Sequence, residues 1–171
     1  MKAAGVIVAV AAALALQTTL ARFVIRGTVA VDLGLVVVVF IALTSGPVTG
    51  MLAGTLTGLL QDALASGILG IGGLAKTIVG FLAGVIGTQF IVAQPLPRFV
   101  VFFGATLLHA VVFIGLYVVL DLTKYSSPPY AGVTGQALGN AIVGVVAFQL
   151  TELLPGAIER RRARDRSRIR R

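Results

Sequence analysis

A helical-bundle integral membrane protein is the fold class this sequence predicts, on three observations. The chain has 171 residues, of which 57% are hydrophobic and only 12% charged, and its mean hydropathy is +1.01. Those values lie far outside the range of soluble domains. Stretches of roughly 17 to 23 mostly apolar residues recur about six times, each long enough to cross a hydrocarbon core of about 30 Å at about 1.5 Å per residue. The loops between them are short and no stretch alternates apolar with polar residues, which argues against an outer-membrane barrel.

The first span covers residues 3–21, between Lys2 and Arg22. Ala13-Leu14-Ala15 resembles a signal-peptide cleavage site, but apolar residues continue to Ala21, so the segment is read as an uncleaved helix. Arg22 and Arg26 occupy the following loop. The second span covers 29–43, with Asp32 near its start and a Val-rich centre. Gly46-Pro47 closes it, and Pro47 suits the first turn of the next helix, where its missing N–H is not needed. The third span covers 47–65 and the fourth 71–92, which stops at Gln94-Pro95-Leu96-Pro97. The fifth covers 98–120. A loop at 121–130 follows, and its tyrosines suit the headgroup level. The sixth covers 131–154, and Pro155-Gly156 is expected to end it. Two regions result: a six-helix transmembrane domain at 1–156 and an Arg-rich tail at 157–171.

Charge sets the expected orientation. The net charge is +8, and residues 156–171 hold eight Arg against two acidic residues, so most of the excess sits in the tail. Lys and Arg close to a span end are retained on the cytoplasmic side. The C-terminus is therefore expected inside, and six spans place the N-terminus inside as well. Arg22 and Arg26 then fall outside, against the rule, which keeps a five-span reading open. The tail reports topology, not nucleic-acid binding, and an anionic lipid surface suffices as its partner.

The hairpin at 46–88 concentrates the intramembrane polarity. Gly46, Gly50, Gly54, Gly58, Asp62 and Ser66 recur every fourth residue, followed by Gly72, Lys76, Gly80, Gly84 and Thr88. Residues so spaced stack on one helix face and leave backbone bare for close approach of a neighbour. With a short turn containing Gly67 and Gly70, the helices become antiparallel neighbours and Asp62 and Lys76 a candidate intramembrane pair. The alternatives are that Lys76 snorkels to the headgroups while Asp62 caps or ends its helix, or that the two serve a transported ion. Asp32 is expected to pair with Arg22 or Arg26 at the surface. His109 is expected to bond a neighbouring helix, with Gln136 and Asn140 as natural partners; Gly132, Gln136, Asn140 and Gly144 form a third small-and-polar stripe.

Several functions are argued against. Cysteine is absent, which excludes disulfides and thiolate metal sites, and the single His cannot build a metal site alone. The glycines lie at helical spacing without a Gly-Lys-Ser/Thr sequence, so no phosphate-binding loop is present. No nucleophile, base and orienter can be assembled, so neither an enzyme nor a cofactor is expected.

At the hairpin the sequence resembles the rod shape-determining protein MreD family. The likeness rests on Asp32-Leu33 opening a Val-rich span, Gly46-Pro47 followed by Gly50, Gly54 and Gly58, and Gly58-Leu59-Leu60-Gln61-Asp62. It continues through Ser66-Gly67, Leu69-Gly70, Leu74-Ala75-Lys76-Thr77 and Val79-Gly80-Phe81-Leu82-Ala83-Gly84. The resemblance implies a non-catalytic membrane subunit of the cell-elongation machinery that binds the scaffold MreC and, through it, MreB, RodA and its partner transpeptidase, supporting lateral peptidoglycan synthesis. It also implies a bundle similar to the substrate-binding subunits of energy-coupling-factor transporters. Gly54, Gly58, Asp62, Gly67 and Gly70 match the motif and are read as structural or partner-facing. Two other classes compete: a small-solute binding subunit of a transporter, and an ion pathway through Asp62, Lys76 and His109.

Overall fold

The computed structural model describes the backbone of residues 3–23, 31–65, 68–90, 94–121 and 130–169, and the side chains of 5–19, 31–65, 68–90, 94–121 and 132–153. Among the described residues it is all-helical, with α1 (Ala3–Phe23), α2 (Leu33–Ser45), α3 (Pro47–Leu64), α4 (Ile71–Gln89), α5 (Pro95–Val119) and α6 (Tyr130–Ile169). Three are long and apolar enough to cross a membrane, over Ile71–Gln89, Pro95–Val119 and Gly132–Leu153, and Gly5–Thr19 and Leu33–Ser45 are shorter apolar helices. α3 is less apolar because its Gly, Thr, Gln and Asp residues serve its contacts with neighbouring helices.

Proline and glycine set several boundaries as expected. Pro47 opens α3 after a single linking residue, Gly46, whose φ of +86° is a conformation that favours glycine. Gly70 precedes α4 with φ +104°. α5 starts earlier than the sequence suggests, at Pro95, because proline is compatible with a first helical turn. Two boundaries differ more. α2 starts at Leu33, with Asp32 as its N-cap, and its 13 residues span only about 20 Å. α6 does not stop at Pro155 but continues to Ile169; a proline deletes one ladder hydrogen bond, and the Arg, Glu and Ala that follow are strong helix formers.

α2 is the centre of the bundle. One apolar cluster joins its Leu35, Val36, Val39 and Ala42 to Val79 and Ala83 of α4 and to Phe102, Ala105, Ala141 and Phe148 of α5 and α6. A second joins its Val38 and Ile41 to Val6, Val10 and Leu14 of α1 and Ala53 of α3. α3 and α4 form an antiparallel hairpin with backbone against backbone. A methyl placed on Gly50 would overlap the Gly80 carbonyl, one on Gly54 the Lys76 carbonyl, one on Gly58 the backbone of Gly72 and Gly73, and one on Gly84 the backbone of Pro47. This is the close approach that the four-residue glycine spacing requires. α5 and α6 pair separately: Phe102 fills the space over Gly144, and Arg98 on α5 bonds Glu152 on α6 while lying over the Phe148 ring at 4.5 Å.

Candidate functional site

The site is a polar layer at mid-depth of α5 and α6. Lys76 of α4 is 3% exposed and Asp32 at the start of α2 is 6% exposed, and the Lys76 Nζ lies 2.7 Å from Asp32 Oδ2. The pair is held from every side. Asp32 Oδ1 accepts from the Leu35 backbone N–H at 3.0 Å and from Gln61 Nε2 of α3 at 3.2 Å. The Asp32 backbone N–H donates to Asn140 Oδ1 of α6 at 2.9 Å, and Asn140 Nδ2 donates to Thr106 Oγ1 of α5 at 3.1 Å. The Gly34 N–H donates to Gln17 Oε1 of α1 at 3.2 Å. Lys76 Nζ also lies 3.3 Å from His109 Nε2. An ammonium has no lone pair, so it donates and Nε2 accepts, which places the His109 proton on Nδ1.

Local folding explains the convergence. The first N–H groups of any helix lack partners, and those of α2 lie inside the bundle, where water cannot reach them. The Asp32 carboxylate, Gln17 and Asn140 each take one such donor, and the Lys76 ammonium balances the capping charge. Removing a charge pair from water costs several kcal/mol per ion unless further hydrogen bonds assist, which is the role of Gln61, Leu35 and His109. Two neighbouring oxygens, Thr57 Oγ1 and Gln61 Oε1, are buried without a hydrogen-bond partner.

These contacts correct three expectations. Asp62 does not pair with Lys76. The hairpin register sets the Lys76 carbonyl against Gly54, and Asp62 lies eight residues further along α3, about 12 Å nearer the turn. There its Oδ2 accepts the N–H groups of Gly70, Gly72 and Gly73 at 2.9, 3.0 and 3.2 Å, capping α4. Asp32 is not a surface residue, because α2 begins deep in the bundle and its carboxylate is occupied there by Lys76 and Gln61. Lys76 does not snorkel, since its ammonium turns inward.

The remaining candidates divide. Gly50, Gly54, Gly58, Gly80 and Gly84 line the hairpin contact, whereas Gly70 serves the turn and the Asp62 cap. Gly67 lies outside the described residues, as do Ser66 and the side chains of Arg22 and Arg26. His109 bonds α4, and Asn140 bonds α2 and Thr106 of α5, so each ties its helix to the layer. Gln136 is half-buried one turn before Asn140. Sequence reading placed Asp32 at the surface, took Gln61 only as part of the family motif, and singled out neither Gln17 nor Thr106 for the site. The signal available for Asp32 was the shortness of the run between it and Gly46: a carboxylate only 14 residues before a helix break cannot stand at the far surface of a bilayer.

The arrangement is a cross-brace among six helices. Among the described residues no cluster of three His, Cys, Asp or Glu could hold a metal. A groove of about 260 Å³ between α4 and α5, lined by Val79, Leu82, Ile86, Val101 and Leu108 among others, is apolar.

Comparison with known proteins fixes the lineage. The family model described as rod shape-determining protein MreD matches residues 2–152. The chain belongs to the MreD family. That makes it a membrane protein of rod-shape determination, and the match covers all six helices up to the last turn of the α6 apolar window. No curated protein and no solved structure matches it. The polar layer, the hairpin glycines and the Asp62 cap thus all lie within the part that MreD family membership covers.

Proposed function

We propose that this protein is a non-catalytic membrane subunit of the cell-elongation machinery, binding an MreC-like scaffold and through it acting with MreB, RodA and its partner transpeptidase in lateral peptidoglycan synthesis. Its bundle crosses the bacterial inner membrane six times with both termini cytoplasmic, and resembles the substrate-binding subunits of energy-coupling-factor transporters in fold, not in activity. The observation that carries this reading, beside family membership, is how the polar groups are spent. Asp32, Lys76, His109, Asn140, Gln61 and Gln17 turn toward one another and bond helix to helix. A solute-binding subunit needs convergent polar groups facing an open cavity. The groove between α4 and α5 instead offers apolar surface, which suits helices and lipid.

The test is affinity capture of the tagged full-length protein from mild detergent, with mass spectrometry of what stays bound. Recovery of an MreC-like protein with cell-wall polymerases supports the proposal. Recovery of transporter ATPase subunits in their place overturns it in favour of solute binding.

A further inference from the structure

The six helices pack as two groups. α1 to α4 are interleaved through α2 and the glycine hairpin, α5 and α6 pair with each other, and the groups meet where α2 and α4 face α5 and α6. Part of that seam is not closed. α4 and α5 touch through Val79, Ala83 and Ala105, but beside that contact an apolar groove runs along residues 79–86 of α4 and 100–108 of α5, and Gly104 on its wall has nothing within 4 Å of where a methyl would stand. The glycines of α4 face α3 or, at Gly87, Leu43 of α2, so the close backbone approach that locks the hairpin is missing on the α5 side. At the inner end of the groove, one turn from Val79 and beside Leu108, the Lys76–His109 hydrogen bond crosses the seam. On the other flank the Asp32 N–H to Asn140 bond crosses from α2 to α6.

Lipid tails are about as apolar as Leu, so parting two apolar helix faces in a bilayer exposes them to an almost equivalent solvent. Lipid cannot replace a hydrogen bond. We propose that α5–α6 is a hinged unit latched onto α1–α4 by the His109 and Asn140 bonds, and that releasing both lets the α4–α5 groove open in the bilayer while α1–α4 stays packed. The ion pair of Asp32 and Lys76 belongs wholly to the α1–α4 side, so it survives the opening. This device does not depend on which partner the protein binds.

The native chain has no cysteine, so paired spin labels can be placed without background. In full-length protein in lipid nanodiscs, Leu82→Cys with Val101→Cys spans the groove, and Leu56→Cys with Leu74→Cys spans the α3–α4 hairpin as the internal control. Double electron–electron resonance reads both distances in the native background and in a variant carrying His109→Leu and Asn140→Leu, which orphans no buried charge. The expected result is a second, longer population across the groove in the variant, with the hairpin distance unchanged. An unchanged groove distance overturns the proposal, since the latch then holds nothing. Broadening of both distances overturns it equally, because the bundle is then a single body.

Discussion

Among the described residues Lys76 pairs with one carboxylate, that of Asp32, and the assignment can be tested by coupling. Removing one member of a buried ion pair leaves the other uncompensated and costs about 3–5 kcal/mol. Lys76→Met and Asp32→Asn are each expected to lower thermal stability in detergent by that order, and the double variant by clearly less than their combined effect. Asp62→Ala removes a cap that serves three N–H groups, worth about 0.5–2 kcal/mol. Its effect should add to that of Lys76→Met within about 0.5 kcal/mol, as separated sites do. Coupling between 62 and 76 with additivity between 32 and 76 would restore the pairing that the sequence suggests. The sequence made Lys76 conspicuous as the lone cation of its span, but not its partner. Pairing across a hairpin depends on register, and register depends on where α3 ends and the turn begins.

Elements were more legible than contacts, and the glycine hairpin was the most legible of them. A four-residue glycine period has few uses inside an apolar span other than close packing, and each of Gly50, Gly54, Gly58, Gly80 and Gly84 meets backbone across the interface. Gly54→Val and Gly58→Val are therefore expected to push α3 off α4 and destabilise by about 1–3 kcal/mol or more, as forced overpacking does. Gly104→Ala, a substitution of similar chemistry into open space, is expected to stay within about 0.5 kcal/mol. Thermal melts of the three purified variants check this. Equal loss at Gly104 and Gly54 would mean that close backbone contact does not set the cost, since Ala at 104 can only gain in helix propensity. The ends of α2 and α6 were less legible, for opposite reasons. Asp32 reads as interfacial because charges are expected at membrane surfaces, yet it is the buried cap of a short helix. Pro155 reads as a stop, yet one lost hydrogen bond does not outweigh the helix-forming residues beyond it.

At the scale of the whole molecule, the charge pattern left five and six crossings open, and the packing of α1 on α2 supports one of them. α2 is too short to cross the core alone, but Gln17 near the end of α1 bonds Gly34 near the start of α2, while Val6 and Val10 cluster with Val38 and Ile41. The two helices are thus antiparallel, and the Gly5 end of α1 lies with the Ser45 end of α2. The hairpin turn at Leu69 then belongs to one face of the bundle, and Gly5 and Leu96 to the other. Leu69 is 67% and Leu96 72% exposed, so cysteines there are open to reagent. In intact spheroplasts a membrane-impermeant maleimide is expected to label Leu69→Cys, and to label Leu96→Cys and Gly5→Cys only after permeabilisation. A topology with five crossings, in which α1 starts outside, predicts the opposite result at Gly5 and the same result at the other two positions. The Gly5 variant alone therefore decides whether the short α2 and its buried cap belong to a chain that returns to the cytoplasmic side.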